Sequence, residues 1–209
     1  MTGNITMTDQ VITYPDNIEP NVFTREELGW VPWLQPLSED ELTDRHRAGL
    51  VDPSRAKSPY FMLLARDPDI LAARTKTDKD IFYNTKTGLP RAEREIAAAA
   101  TSRTNGCIFC ASVHARFAWQ HSKRSDDVQK LLGEGIYADI DPSWNAIIDA
   151  SAALTKTPQG FTESHIDELR RAGLDDVAIV DVINGAAFFN WANRLMLSLG
   201  EPTPPAAAA

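Results

Sequence analysis

"PRAEREIAAAATSRTNGCIFCASVHARFAWQHS", residues 90–122, is the stretch on which the fold turns. Pro90 stands where a helix can open, because proline costs nothing in a first turn whose N–H groups lack partners anyway. The Ala-rich run behind it has high helix propensity, and its small side chains permit a second helix to pack closely. Asn105-Gly106 then breaks the pattern, and a new helix is expected from about Cys107 to Ser122. Two helices in tandem with no strand between them point to an all-helical chain.

The flanking sequence carries the same punctuation. Upstream, Asp67-Pro68 supplies a cap and a first-turn proline for "PDILAARTKTDKDIFY", and Ser38 with Glu41 forms a capping box before "EDELTDRHRAGL". Downstream, a short helix is expected over Asp126–Leu132, ended by Gly133. Asp141-Pro142 opens another through Leu154, Thr162 caps "ESHIDELRRAG" with Gly173 as its stop, and Asp175 caps a long final helix closed by Gly200. "VAIVDVI" is the best strand candidate but continues into a helical pattern, and no sustained alternation occurs elsewhere. The fold class is therefore all-α. Residues 1–36, rich in Pro, Thr and Asn, read as an extended arm anchored by Trp30 and Trp33 on the body or on a neighbouring subunit. Residues 37–200 form the helical domain, and residues 201–209, "EPTPPAAAA", read as a disordered tail.

At 209 residues and 43% apolar content the chain can bury a substantial core. A net charge of −8 argues against nucleic-acid binding and against docking on an anionic membrane. No basic-then-apolar leader is evident, so the expected location is cytoplasmic. Two cysteines three residues apart staple almost no loop entropy, and in a cytoplasmic setting their spacing points to redox or metal chemistry.

On a helix advancing about 100° per residue, Cys110 lies roughly 60° and His114 roughly 20° back from Cys107, so the three share one stripe. Glu95 sits on the preceding helix and joins that stripe if the two helices fold back across Asn105-Gly106. A thiol near its ordinary pKa is only about 3% thiolate at pH 7. A helix N-terminus and an imidazole lower that pKa, and a carboxylate on the imidazole orients it for proton transfer. A sulfenic acid formed on one cysteine is resolved by the other as a disulfide, which an external dithiol or thioredoxin-like reductant must then reopen. Two other readings of the stripe stand beside this one. Zinc accepts thiolate, imidazole and carboxylate, though three ligands within two helical turns make a poor tetrahedron. The other is a buried helix face with two small hydrophobes and a satisfied histidine.

The pattern Glu95, then Cys107-Ile-Phe-Cys110, then His114, together with "NGCIFC" after an Ala-rich helix and the late "FFNWANR", resembles the alkylhydroperoxidase D-like proteins of the carboxymuconolactone decarboxylase superfamily, in their peroxidase-related branch. The resemblance spans roughly residues 55 to 200. It implies a helical subunit assembling into a trimer or hexamer and reducing organic hydroperoxides or hydrogen peroxide without a cofactor or metal. It assigns Cys110 as the peroxidatic thiol, Cys107 as the resolving one, and His114 and Glu95 to the proton relay. The helix dipole, taken alone, favours Cys107 as the more acidic thiol. The family's second histidine, immediately before the second cysteine, is replaced by Phe109, which cannot relay a proton. A lactone-directed decarboxylase-like lyase and a non-enzymatic redox-sensing oligomer are the other functional readings. His121 is expected at the surface or an interface, and Glu93 in solvent. Asn190, Asn193 and Arg194 are expected in an inter-helix or interface network, with Trp191 and Arg194 alternatively bordering the substrate pocket.

Overall fold

The structure, a computed structural model, describes residues 10–205. The arm is extended and ends in strand β1 (Gly29–Pro32). Beyond it, the Glu41 carboxylate accepts the Ser38 backbone N–H at 2.7 Å, but this box closes only a single 3-10 turn over Glu39–Glu41. Thr43, capping through its hydroxyl, opens helix α1 (Asp44–Leu50) instead. Helices α2 (Pro59–Leu64) and α3 (Pro68–Tyr83) both begin on proline, and the Asp67 side chain caps α3. Next come α4 (Arg91–Thr104) and α5 (Ile108–Ser122), separated at Asn105-Gly106. Helix α6 runs Ser125–Glu134, α7 Pro142–Thr155, α8 Glu163–Arg171 and α9 Asp176–Leu199.

Two expectations are corrected. Gly133 does not stop α6, because nothing at that glycine demands a left-handed backbone; the stop is Gly135, whose φ of 72° ends the helix two residues later. The chain end is also not a free tail from residue 201. Gly200–Thr203 forms strand β2, antiparallel to β1, with Gly29 opposite Thr203 and Pro32 opposite Gly200. The Glu201 carboxylate additionally accepts from the Trp33 indole and the Asn17 amide, both at 2.9 Å. The arm and the last residues of the domain therefore hold each other. Residues 206–209 and the arm's first nine residues lie outside the described part.

Helix α4 lies at the centre, packed by α5, α7 and α9. Its Ala97–Ala100 run is almost wholly buried, and a Cβ placed on Gly185 of α9 would lie 3.7 Å from Ala97. Small residues on both sides let the helices approach closely, as the Ala-rich sequence implied. The core divides into an aliphatic part beneath α4, α6 and α7, including Ile96, Leu131, Ile147 and Ile148, and an aromatic part around α3, α5 and the second half of α9. Among the described residues no helix is long and apolar enough to cross a membrane.

Candidate active site

The break between α4 and α5 builds the site. Gly106 takes φ of 75°, a conformation that costs a residue with a Cβ about 1 kcal/mol or more. The Cys107 N–H then bonds back to Ser102 O at 2.9 Å, and α5 starts immediately. Helix α9 clamps this turn. The Asn105 amide donates to Asn190 and Asn193, and Asn193 donates to Ser102 at 3.1 Å. The "FFNWANR" asparagines thus form an inter-helix network. Trp191 and Arg194, the alternative pocket residues, are exposed and do not line the cavity described below.

Folding back across the turn brings Glu95 against α5. Its Oε2 lies 2.5 Å from His114 Nδ1, and its Oε1 accepts from Arg91 Nε at 2.5 Å. Glu95 is fully buried, so an ionised carboxylate there is held by both neighbours. With Nδ1 committed to Glu95, His114 has Nε2 as its remaining proton-transfer atom. The ring is also fixed by packing: Phe82 stacks on it at 5.2 Å and Phe189 meets it edge-on at 4.0 Å. Arg91 is in turn stacked over Tyr83 at 4.2 Å.

Both cysteines are buried free thiols. Cys107 is the N-cap of α5, where the unpaired N–H groups favour negative charge. The Cys110 thiol, the Cys110 backbone N–H and Asn193 hydrogen-bond to Cys107 and hold it below the ordinary cysteine value, against the effect of burial. Cys110 is pushed well above that value because its thiol donates a hydrogen bond to Cys107, is buried, and faces the Cys107 charge. Of the two thiols Cys107 is therefore the one that ionises first, and the first negative charge the pair takes rests there.

Exposure divides the pair the other way. A cavity of about 490 Å³ is lined by Cys110, His114, Glu95 and Arg91 together with aromatic rings including Tyr60, Phe82, Phe109 and Phe117. Cys107 does not reach it. That cysteine lines a separate cleft of about 70 Å³ with Phe109, Trp30 and Gly200. Phe109 thus stands between the two openings. Tyr60 is pushed up to about 12 by burial, which outweighs the opposing charge of Arg74, so it enters the cavity wall as a neutral hydroxyl.

Of the residues singled out from the sequence, the structure brings Cys107, Cys110, His114 and Glu95 together. His121 is exposed on the far end of α5. Glu93 is not in solvent: its Oε1 accepts from the Trp144 indole at 3.3 Å and its Oε2 is buried without a partner, on the side of α4 facing α7. Arg91 and Arg74, both lining the cavity, were not found by sequence reasoning. For Arg91 a signal existed, since an arginine four residues before a glutamate is placed to pair with it. Among the described residues, no group of three or more His, Cys, Asp or Glu side chains is arranged to hold a metal ion.

Residues 68–156, α3 through α7, match the carboxymuconolactone decarboxylase family model. The fold is shared with an uncharacterized peroxidase-related protein with an alkylhydroperoxidase AhpD core from Ralstonia eutropha JMP134, at 25% identity and TM-score 0.66 over 80% of this chain and 88% of that one. A peroxidase-related protein from Silicibacter sp. TM1040 matches at 23% identity and TM-score 0.69, over 82% and 92%. The debrominase Bmp8, solved as a cysteine-to-alanine variant with 2,3,4-tribromopyrrole, matches at 17% identity and TM-score 0.64, over 88% and 91%. No curated protein matches the chain significantly. The family match covers the helices that carry Glu95, both cysteines and His114, and the fold is that of the peroxidase-related and AhpD-core structures over about four-fifths of the chain.

Proposed function

We propose that the protein is a thiol-dependent peroxidase that reduces organic hydroperoxides or hydrogen peroxide at Cys110. The observation that carries this reading is the convergence of Cys110, His114 and a doubly held Glu95 on one aromatic-walled cavity, with the second thiol directly behind. Once Cys107, the thiol held lower, is ionised, its charge passes to Cys110 when the shared proton moves across to Cys107. The Cys110 thiolate attacks the distal peroxide oxygen, the O–O bond breaks, and the departing alkoxide takes a proton from His114 Nε2. Cys110 is then a sulfenic acid. Cys107 attacks its sulfur, the S–O bond breaks, and the hydroxide released takes the Cys107 proton to leave as water. The sum is hydroperoxide plus dithiol giving alcohol, water and disulfide. An external dithiol or thioredoxin-like protein of the cytoplasm returns the disulfide to two thiols.

The distribution of acidity and access supports this division of labour. The more acidic Cys107 is shielded from the large cavity, and the less acidic Cys110 lines it. An exposed apolar stripe on α9, Val177, Val180 and Trp191, fits assembly into a trimer or hexamer. A second reading keeps the dithiol and changes the acceptor. The aromatic cavity wall, with Phe109 where a proton-relaying histidine is missing, and the likeness to a debrominase favour reductive removal of bromide from an aromatic ring. There the carbon–bromine bond takes the two electrons and a proton, giving bromide and the hydrogen-bearing ring.

The deciding experiment mixes reduced protein with cumene hydroperoxide and follows peroxide and free thiols together. The expected result is loss of two thiols per chain with one peroxide consumed, and recovery of both thiols on adding a dithiol. Unchanged thiols at excess peroxide would end the peroxidase reading.

A further inference from the structure

Arg74 on α3 is buried, 6% exposed, and lines the cavity that holds Cys110. Its Nε and Nη1 are buried and have no hydrogen-bond partner. No acidic side chain among the described residues pairs with it; Asp78, one turn further along α3, is taken by Arg55 at 3.3 Å. What surrounds the guanidinium is aromatic, with the Tyr60 hydroxyl as its polar neighbour: Phe188 at 5.2 Å, Tyr60 at 5.7 Å and Phe61 at 5.8 Å from its carbon. Ring faces recover part of the lost hydration of a cation but accept no conventional hydrogen bond. Trp30, which edges Tyr60 at 5.5 Å and lines the same cavity, also has a buried, unpartnered indole N–H.

A buried guanidinium without a counter-ion is strongly destabilising, and orphaned donors are rare in native interiors. Cys110 feels the Arg74 charge, but its thiol is held well above the ordinary cysteine value and keeps its proton in the resting pair; the other charges in the cavity wall do not answer the guanidinium either. Glu95 is already shared by Arg91 and His114, Lys57 is a further cation, and Glu27 lies in exposed chain. Among the described residues, half of the six buried side-chain atoms without partners are N–H donors of this wall, so what completes the site must bring acceptors and negative charge.

We propose that Arg74 is an anion-binding residue, and that the molecule reduced at Cys110 carries a carboxylate on an apolar body. The carboxylate binds Arg74, assisted by the Trp30 N–H. The apolar part lies on Phe82, Phe109 and Phe117, and the hydroperoxide is delivered to Cys110 beside His114. The chemical step is the one given above, with an external dithiol as reductant. The proposal rests on Cys110 being the reacting thiol, but the anion site itself can be tested without turnover.

Binding is measured by calorimetry on the full-length reduced protein with 4-phenylbutanoate and its neutral amide. The carboxylate is expected to bind at least about tenfold more tightly, as a charge-assisted hydrogen bond in a dry site requires. In Arg74→Gln that ratio is expected to fall to about one, and in Arg74→Lys to recover in part. Turnover is then compared for cumene hydroperoxide bearing a para-carboxylate and for its methyl ester. The wild type is expected to favour the carboxylate through KM, with kcat nearly equal. Equal binding of carboxylate and amide by the wild type overturns the proposal without recourse to any variant, and so does a ratio that survives Arg74→Gln. If neither hydroperoxide is consumed while the binding preference holds and depends on Arg74, the peroxidase reading fails and the anion site stands. If both are consumed equally and the binding ratio is one, the anion site fails and the peroxidase stands.

Discussion

The aliphatic and aromatic regions of the core are built largely from different helices, and they do different work. Beneath α4, α6 and α7 the interior is mostly Ile, Leu, Val and Ala around the single buried ring of Trp144, with Ile147, Leu131 and Val128 fully buried. Around α3, α5 and the end of α9 it is Phe, Tyr, Trp, Met and both cysteines, and it buries Arg74, Glu95 and His114 among them. Aliphatic side chains pack to high density and ask nothing of their neighbours. Aromatic rings leave a cavity, fix the imidazole by stacking, and shelter charge that packing alone would not tolerate. One half holds the fold, and the other spends stability on a site.

The largest test of this contrast is Cys110→Ser. Hydroperoxide consumption is expected to fall by at least about 10³-fold, because a serine hydroxyl in that place has no comparable nucleophilicity. The unfolding midpoint in urea should scarcely move, since the substitution is nearly isosteric. Residual turnover at more than a tenth of wild type would remove Cys110 from its role.

Glu95→Gln is where the two kinds of work meet. The substitution keeps the shape and removes the charge that Arg91 and His114 share. Breaking a buried pair from one side costs about 3–5 kcal/mol, and the lower end is expected because Arg91 retains some solvent contact. Turnover should drop by about 10²-fold as well, from the loss of a properly held proton donor. Denaturant unfolding and steady-state kinetics on one preparation separate the two effects. Ile147→Ala, in the aliphatic half, is the counterpart: a stability loss of about 2–5 kcal/mol from the cavity created, with kcat of the folded fraction unchanged. A kcat lowered as much as in Glu95→Gln would mean that the halves are coupled.

Much of the fold was legible because helix ends are written locally. Asp67-Pro68, Asp141-Pro142 and Asp175 each open the helix they announce, and Gly106 breaks the chain where its φ is needed. The dithiol, His114 and Glu95 were legible too, the first three by helical spacing and the last by supposing that α4 and α5 fold back. What escaped depends on distant partners. Strand β2 contains Pro202 and is four residues long, so nothing in "GEPT" alternates; it is a strand only because Gly29–Pro32 lies alongside. Arg74 sits in "ARTKTDKD", where an arginine looks solvated, and only α2 and α9 closing over α3 bury it. Glu93 escaped for the same reason, through Trp144 of α7.

The smallest expected effect is a single proton, and it bears on the aromatic half alone. Cys107 is held low chiefly by the Cys110 thiol, and Cys110 is held high chiefly by Cys107. Ultraviolet thiolate absorbance against pH should therefore rise in two steps, one below and one above the ordinary cysteine value. Cys110→Ala removes the donor, and the remaining step at Cys107 should move up. Cys107→Ala removes both the acceptor and its charge, and the remaining step at Cys110 should move down, stopping above the ordinary value because burial persists. The signs carry over to stability. A lowered thiol adds stability that is present above its unfolded value and is lost as pH falls through the folded one. A raised thiol adds stability that is present below its unfolded value and is lost as pH rises toward the folded one. The difference in unfolding free energy between wild type and a Cys107→Ala/Cys110→Ala double variant should thus peak near the ordinary thiol pKa and decline on both sides. A single unsplit titration step would mean that the two thiols do not share a proton, and the transfer of charge from Cys107 to Cys110 would lose its basis.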